Sequence, residues 1–244
     1  RGLLEGDGAS LIGAPAAAAL ARAGADRGPH PATLGALALV LTGRLVLLQI
    51  MVMIGVGWWC LAALWLRHYD FASDHDTHAR VFKLAAATLS VIPAWCALAL
   101  IHASQPHGNR WLLVALMIIW AADSGAYFAG RRFGRTRLSP RISPNKTVEG
   151  LVGGIVAGMI VALVAAPLAN DAITVKQLSY VAIVAIWTIL FSVVGDLFES
   201  LLKRHVGAKD SGNLIPGHGG VLDRIDSVLA ALPVFALGKL LFGF

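Results

Sequence analysis

The sequence is poor in charge and almost without cysteine. Of its 244 residues only 14% are Asp, Glu, Lys or Arg, against about 25% in soluble domains. A chain with so few ionic groups cannot cover a soluble surface with them. Cys60 and Cys96 both fall in apolar runs, which excludes a disulfide framework and a cysteine-based metal site. There is no internal repeat, no G-x-x-x-x-G-K-[ST] phosphate loop, and no secretory signal built of charged, apolar and cleavable parts. The chain starts at Arg1 rather than Met, which leaves room for an upstream segment. Acids are scarcer than bases, 14 against 20, for a formal charge of +6. That excess suits contact with polyanions or anionic lipids, and follows equally from basic cytoplasmic loops. No nucleic-acid partner is expected.

What the chain has instead is apolar length: 57% of its residues are hydrophobic and its mean hydropathy is +0.71. A helix needs roughly 20 mostly apolar residues to cross a bilayer. The stretch Thr33–Leu66 is too long for one span, so a helix over Leu45–Leu66 is expected, preceded by a shorter apolar piece. Further spans are expected at Val81–Ala103, Trp111–Gly130, Leu151–Ala169, Leu178–Leu202 and Ser227–Phe244. The expected fold is an all-α polytopic helical bundle in a membrane. Residues 33–244 form one domain of six or seven spans with a polar cavity at the cytoplasmic face, and residues 1–32 form an ill-defined N-terminal segment. The loop 131–148 holds six Lys or Arg and no acid, and 203–226 holds four. The segments 104–109 and 170–177 hold only Lys176. By the positive-inside rule both basic loops face the cytoplasm.

Chemistry concentrates in Ser200–Asp226, SLLKRHVGAKDSGNLIPGHGGVLDRID, lying between two apolar runs. Charges this dense at a membrane surface need water, counter-charges or a charged ligand. Cations, carboxylates and backbone-exposing glycines together suit a metal-bound polyphosphate. Asp196, Ser200 and Lys203 are spaced i, i+4, i+7 and share one helix face, with Glu199 at its edge; the plain alternative is an ion pair that eases insertion. In His218-Gly219-Gly220, backbone N–H groups can approach an anion, although a glycine cluster is also an ordinary turn. His218 is read as a general acid/base or as a phosphate contact. Asp223 and Asp226 either cap a helix or join Asp196 around a divalent cation, for which hard oxygen donors suit Mg²⁺. Arg224 and Arg204 stand beside them as phosphate-binding candidates.

A second cluster runs from Trp120 to Glu149. Asp123 in WAADSGAY is an acid inside an apolar helix, functional by default or else a polar contact between helices made with Ser124 and Gly125. Ser143-Pro144-Asn145-Lys146-Thr147 reads as a phosphate cradle at a helix N-terminus or as a cap after a basic loop. Ser143, Asn145, Lys146 and Thr147 are the substrate-binding candidates there.

The pattern S-x-x-K-R-x4-K-D-S-G-x-L-I-P-G-H-G-G-x-L-D-R-I-D, filled from Ser200 to Asp226, resembles the signature of the phosphatidate cytidylyltransferases, also called CDP-diacylglycerol synthases. Trp120–Gly134, the S-P-N-K-T turn and Val194–Ser200 resemble the same family, with a weaker echo at Gly57-Trp58-Trp59. The resemblance covers the second half of the chain; family members usually carry further N-terminal spans. It implies the reaction CTP + phosphatidate → CDP-diacylglycerol + pyrophosphate in phospholipid biosynthesis, in a bacterial inner membrane, with Mg²⁺ as cofactor. It implies Asp196 and Asp223 as metal positions, and Ser200, Lys203, Lys209 and Asp210 around the phosphates. Membrane lipids and a homodimer complete the expected partners. Two other readings stand beside it: a CTP-dependent polyprenol or phytol kinase, and a transporter with broken helices. Gathering of the charges at one face counts against the transporter.

Overall fold

A computed structural model of the chain describes residues 31–71, 77–104, 106–208, 211–212 and 220–244, with side chains from residue 43 onwards. The chain divides into two compact units, Arg1–Val46 and Leu47–Phe244. Of the first, the described part is helical from residue 31. The second holds the site.

The elements in order are α1 (Pro31–Trp65), α2 (Thr77–Ala103), α3 (Gly108–Phe133), β1 (Arg137–Ser139), β2 (Ser143–Thr147), α4 (Val148–Ala169), α5 (Val175–His205) and α6 (Leu222–Phe242). Among the described residues, six helices are long and apolar enough to cross a membrane. The chain is a polytopic all-α membrane protein. The expected break before Leu45 does not occur: α1 runs unbroken for 35 residues. Gly43 weakens a helix by only about 1 kcal/mol, and no proline follows Pro31 to interrupt the ladder of backbone hydrogen bonds.

The other spans stand where the apolar runs predict them, and most extend a few residues into polar flanks. Polar caps explain two of these extensions. Thr147 starts α4 by accepting from the Gly150 N–H at 3.1 Å. Thr174 and Gln177 form a reciprocal capping box at the start of α5, satisfying donors that a helix end leaves open. The S-P-N-K-T turn proves to be a strand: β2 pairs antiparallel with β1, Arg137 opposite Thr147 and Ser139 opposite Ser143. Glu149 ties this hairpin to α4, its carboxylate accepting from the Arg135 N–H at 3.0 Å and the Thr136 N–H at 3.2 Å. Pro144 is tolerated because a two-stranded ribbon has only edge strands.

Two close helix contacts set the positions of the site. A Cβ on Gly125 of α3 would meet Ala157 at 2.5 Å, so α3 and α4 pack backbone against backbone, as small residues permit inside a bilayer. On α5, a Cβ on Gly195 would meet Ala230 at 2.9 Å and run into the Asp226 carbonyl. The next residue on α5 is Asp196, so this close approach brings Asp196 beside α6. Trp58, Trp59 and Trp65 of α1 pack edge-on around Phe198 of α5, with ring centroids 5.7, 5.7 and 5.1 Å apart. The Trp59 indole N–H donates to the Leu229 carbonyl at 3.1 Å, fixing α1 to α6. Val152, Val156, Ile160, Val164 and Leu168 are exposed, and their four-residue spacing gives α4 a lipid-facing stripe.

Candidate active site

A cavity of about 740 Å³ opens at the end of the bundle where α3 and α5 finish and α6 begins. From α3 come Asp123, Tyr127 and Arg131; from the hairpin, Asn145, Lys146 and Thr147; from α5, Asp196 and Lys203; from α6, Asp223, Arg224, Asp226 and Ser227. The two sequence clusters, far apart in the chain, therefore line one space.

Ion pairs across element boundaries hold it together. Lys146 of β2 places Nζ 2.5 Å from Asp196 of α5. Lys203 lies between two carboxylates, 2.5 Å from Glu199 on its own helix and 2.7 Å from Asp223 of α6. Glu199 is 5% exposed, so this is a buried pair whose partners depend on each other. Asp223 does more: its carboxylate also accepts from the Ser211 N–H at 3.0 Å, the Ser211 hydroxyl at 2.9 Å and the Gly220 N–H at 2.7 Å. It thus clamps both described ends of the glycine-rich loop. The capping reading of Asp223 and the site reading are both right, because one carboxylate serves the loop and Lys203 together. Asp226 is buried and accepts from the Ser227 N–H at 2.7 Å.

Several sequence candidates stand apart from the cavity. Ser200 is half-buried on α5 without lining it, and Ser143 likewise stays outside. Arg204 turns to the hairpin, its Nε 3.4 Å from the Ile142 carbonyl. Thr147 does line the cavity, but its hydroxyl is occupied as the cap of α4. Gly220 is buried behind Asp223 rather than open to the cavity. Lys209, Asp210, His218 and Gly219 lie outside the described residues. Four residues were missed as site members: Glu199, Tyr127, Arg131 and Ser227. Glu199 stood at the edge of the shared face, and its burial follows only from the approach of α6. Tyr127 and Arg131 follow Asp123 at i+4 and i+8, so helical spacing could have found them.

Asp196 and Asp223 present hard oxygen donors beside two lysines. Among the described residues no group of three His, Cys, Asp or Glu is placed to encage a metal ion. That donor set fits a small hard cation bound through one or two carboxylates and completed by ligand phosphates and water.

Residues 19–242 match the model of a family described as the cytidylyltransferase family. Relatives named phosphatidate cytidylyltransferase include those of Haemophilus influenzae, 40% identical over 195 residues, 78% of this chain and 68% of the relative; Pseudomonas aeruginosa, 39% identical, covering 75% and 66%; and Thermotoga maritima, 45% identical over 180 residues, covering 72% and 66%. The chain spans about two thirds of the length of these curated relatives.

Proposed function

The chain belongs to the cytidylyltransferase family, and from that premise we propose that it converts CTP and phosphatidate to CDP-diacylglycerol and pyrophosphate. The observation that carries the reading is the convergence of Lys203 and Asp223 of the signature with Asp196 just before it and Lys146 of the hairpin in one cavity at one end of apolar spans. Two polyanions must meet there. An oxygen of the lipid phosphate attacks the α-phosphorus of CTP, the bond from that phosphorus to the bridging oxygen breaks, and pyrophosphate leaves with the electron pair. No enzyme nucleophile is needed.

Lys146 and Lys203 supply fixed positive charge against the phosphates, worth most where water is excluded. Glu199 and Asp223 hold Lys203 in place, which limits the reorganisation needed when substrate arrives. Mg²⁺, when bound at Asp196 and Asp223, supplies charge neutralisation and stabilises the leaving pyrophosphate. Asn145 and Arg224 are the further substrate contacts that the cavity wall offers. The acyl chains remain in the bilayer, and the cavity faces the cytoplasm, where CTP is found and where the basic loops belong.

The test is product analysis with the purified chain in detergent, CTP and phosphatidate, with and without Mg²⁺. Metal-dependent CDP-diacylglycerol with pyrophosphate is expected; free CDP with a phosphorylated lipid would make it a kinase instead. Orientation is read separately, in a background lacking Cys60 and Cys96. In intact cells an impermeant thiol reagent should label Asp171→Cys and spare Arg135→Cys; the reverse pattern would place the cavity outside.

A further inference from the structure

Building on that reaction, we infer that Arg131 is the residue that receives the phosphate of the lipid substrate, on the wall of the cavity that α3 contributes. One face of α3 presents the contact. Asp123, Tyr127 and Arg131 are spaced i, i+4, i+8 and all line the cavity, and at 1.5 Å per residue they climb about 12 Å along the helix. Asp123 stands deep in the span and Arg131 in its last turn, the level at which lipid headgroups lie. Tyr127 and its neighbour Phe128 are 59% and 68% exposed. On a spanning helix such rings face lipid, and a tyrosine there sits with its ring in the apolar layer and its hydroxyl in the polar one.

Charge then separates Arg131 from the other cations of the cavity. Lys146 and Lys203 each face a carboxylate at 2.5–2.7 Å, and Arg224 has partners of its own. Arg131 meets a neutral group: its Nη1 donates to the Tyr127 hydroxyl at 3.0 Å, and among the described residues it forms no ion pair. The hydroxyl steadies the guanidinium without spending its charge. A guanidinium in that state matches the two oxygens of a phosphate monoester in bidentate fashion. A lipid held there by its phosphate keeps its chains against Tyr127 and Phe128 in the membrane while the phosphate faces Lys146 and Asp196.

A phosphate monoester could be the lipid's, or the terminal phosphate of the nucleotide could take the same guanidinium, so the experiment must tell them apart. KM is measured in mixed micelles for phosphatidate at saturating CTP and for CTP at saturating phosphatidate. Arg131→Gln is expected to raise KM for phosphatidate roughly 10- to 100-fold, the value of a charge-assisted bidentate contact, and to leave KM for CTP within twofold. Arg131→Lys should recover part of the loss, and Tyr127→Phe should cost a few-fold for the lipid alone. Arg132→Gln is the control: Arg132 shares the interfacial position but stacks on Phe133, with 5.7 Å from guanidinium to ring centroid, and does not line the cavity. It should change neither constant. A rise in KM for CTP instead, an unchanged lipid KM, or equal lipid effects in the two arginine variants would each overturn the assignment. Equilibrium binding of labelled phosphatidate, with phosphatidylcholine as comparison, reads the same contact without turnover. If the wild type makes no CDP-diacylglycerol, the proposed reaction fails; a loss of phosphatidate binding confined to Arg131→Gln would still support this contact, and equal binding would refute it.

Discussion

On the α5–α6 wall of the cavity, Lys203 is fixed between Glu199 and Asp223, and Asp223 is itself held by Ser211 and Gly220. On the α3–hairpin wall, Lys146 has one carboxylate and Arg131 has a tyrosine hydroxyl. Side-chain exposure separates the Lys203 network from the Lys146–Asp196 pair, which joins the hairpin to α5: 6% for Glu199, 12% for Asp223 and 19% for Lys203, against 22% and 35% for Lys146 and Asp196. Similar charges are therefore locked on one wall and available on the other. A locked network creates a constant field and contributes to holding the fold; looser charges can follow a ligand as it arrives. Substitutions should divide along that line, with the Lys203 network coupling activity to stability and the Lys146–Asp196 pair affecting activity alone.

The largest effect is expected at Asp196, which belongs to the looser pair. Asp196→Asn should lower turnover ~10²–10³-fold, the usual cost of a lost electrostatic contact to a transition state, while its melting temperature in detergent stays near that of the wild type. Asp223→Asn should lose as much activity and also melt earlier, because it releases Lys203 and both described ends of the loop. Equal melting of the two variants would erase the distinction between the locked network and the looser pair.

Glu199→Gln comes next. Removing one partner of a buried ion pair costs about 3–5 kcal/mol when nothing remains, and Asp223 remains, so about 1–3 kcal/mol is expected from denaturant or thermal unfolding. A variant of wild-type stability would show that Glu199 is not part of the locked network. Lys146→Met should raise KM for CTP about tenfold or more and change stability by less than about 1 kcal/mol, as expected for a partly exposed pair. A large drop in melting temperature would place Lys146 with the locked wall. The smallest effect is expected for Thr147→Ala, which removes the cap of α4 and costs about 1 kcal/mol with modest loss of activity.

The same two walls show what a sequence can carry. The spans were legible because a bilayer imposes length and apolarity on each helix by itself, and five of the six helices stand where the hydropathy placed them. The hairpin and the helix extensions escaped, since Thr147, Thr174 and Glu149 act through short polar contacts that hydropathy does not register. The Asp196–Lys203 face could be read from helical spacing alone. Its closure could not, because the close packing at Gly195 and the approach of Asp223 are tertiary facts. Arg131 falls among the six basic residues of the 131–148 loop when the span is ended at Gly130, and its cavity position emerges only when α3 is continued past that residue.

The central claim is that this cavity transfers the cytidylyl group of CTP to a lipid phosphate by direct displacement. The most direct measurement follows label from CTP marked separately at its α- and γ-phosphates, in the wild type and in Asp196→Asn, with Mg²⁺ present and after chelation. The account predicts α-label in the lipid product, γ-label in pyrophosphate, one pyrophosphate per lipid formed, and loss of both on chelation or in Asp196→Asn. γ-Label in the lipid, or full turnover by Asp196→Asn, would contradict it.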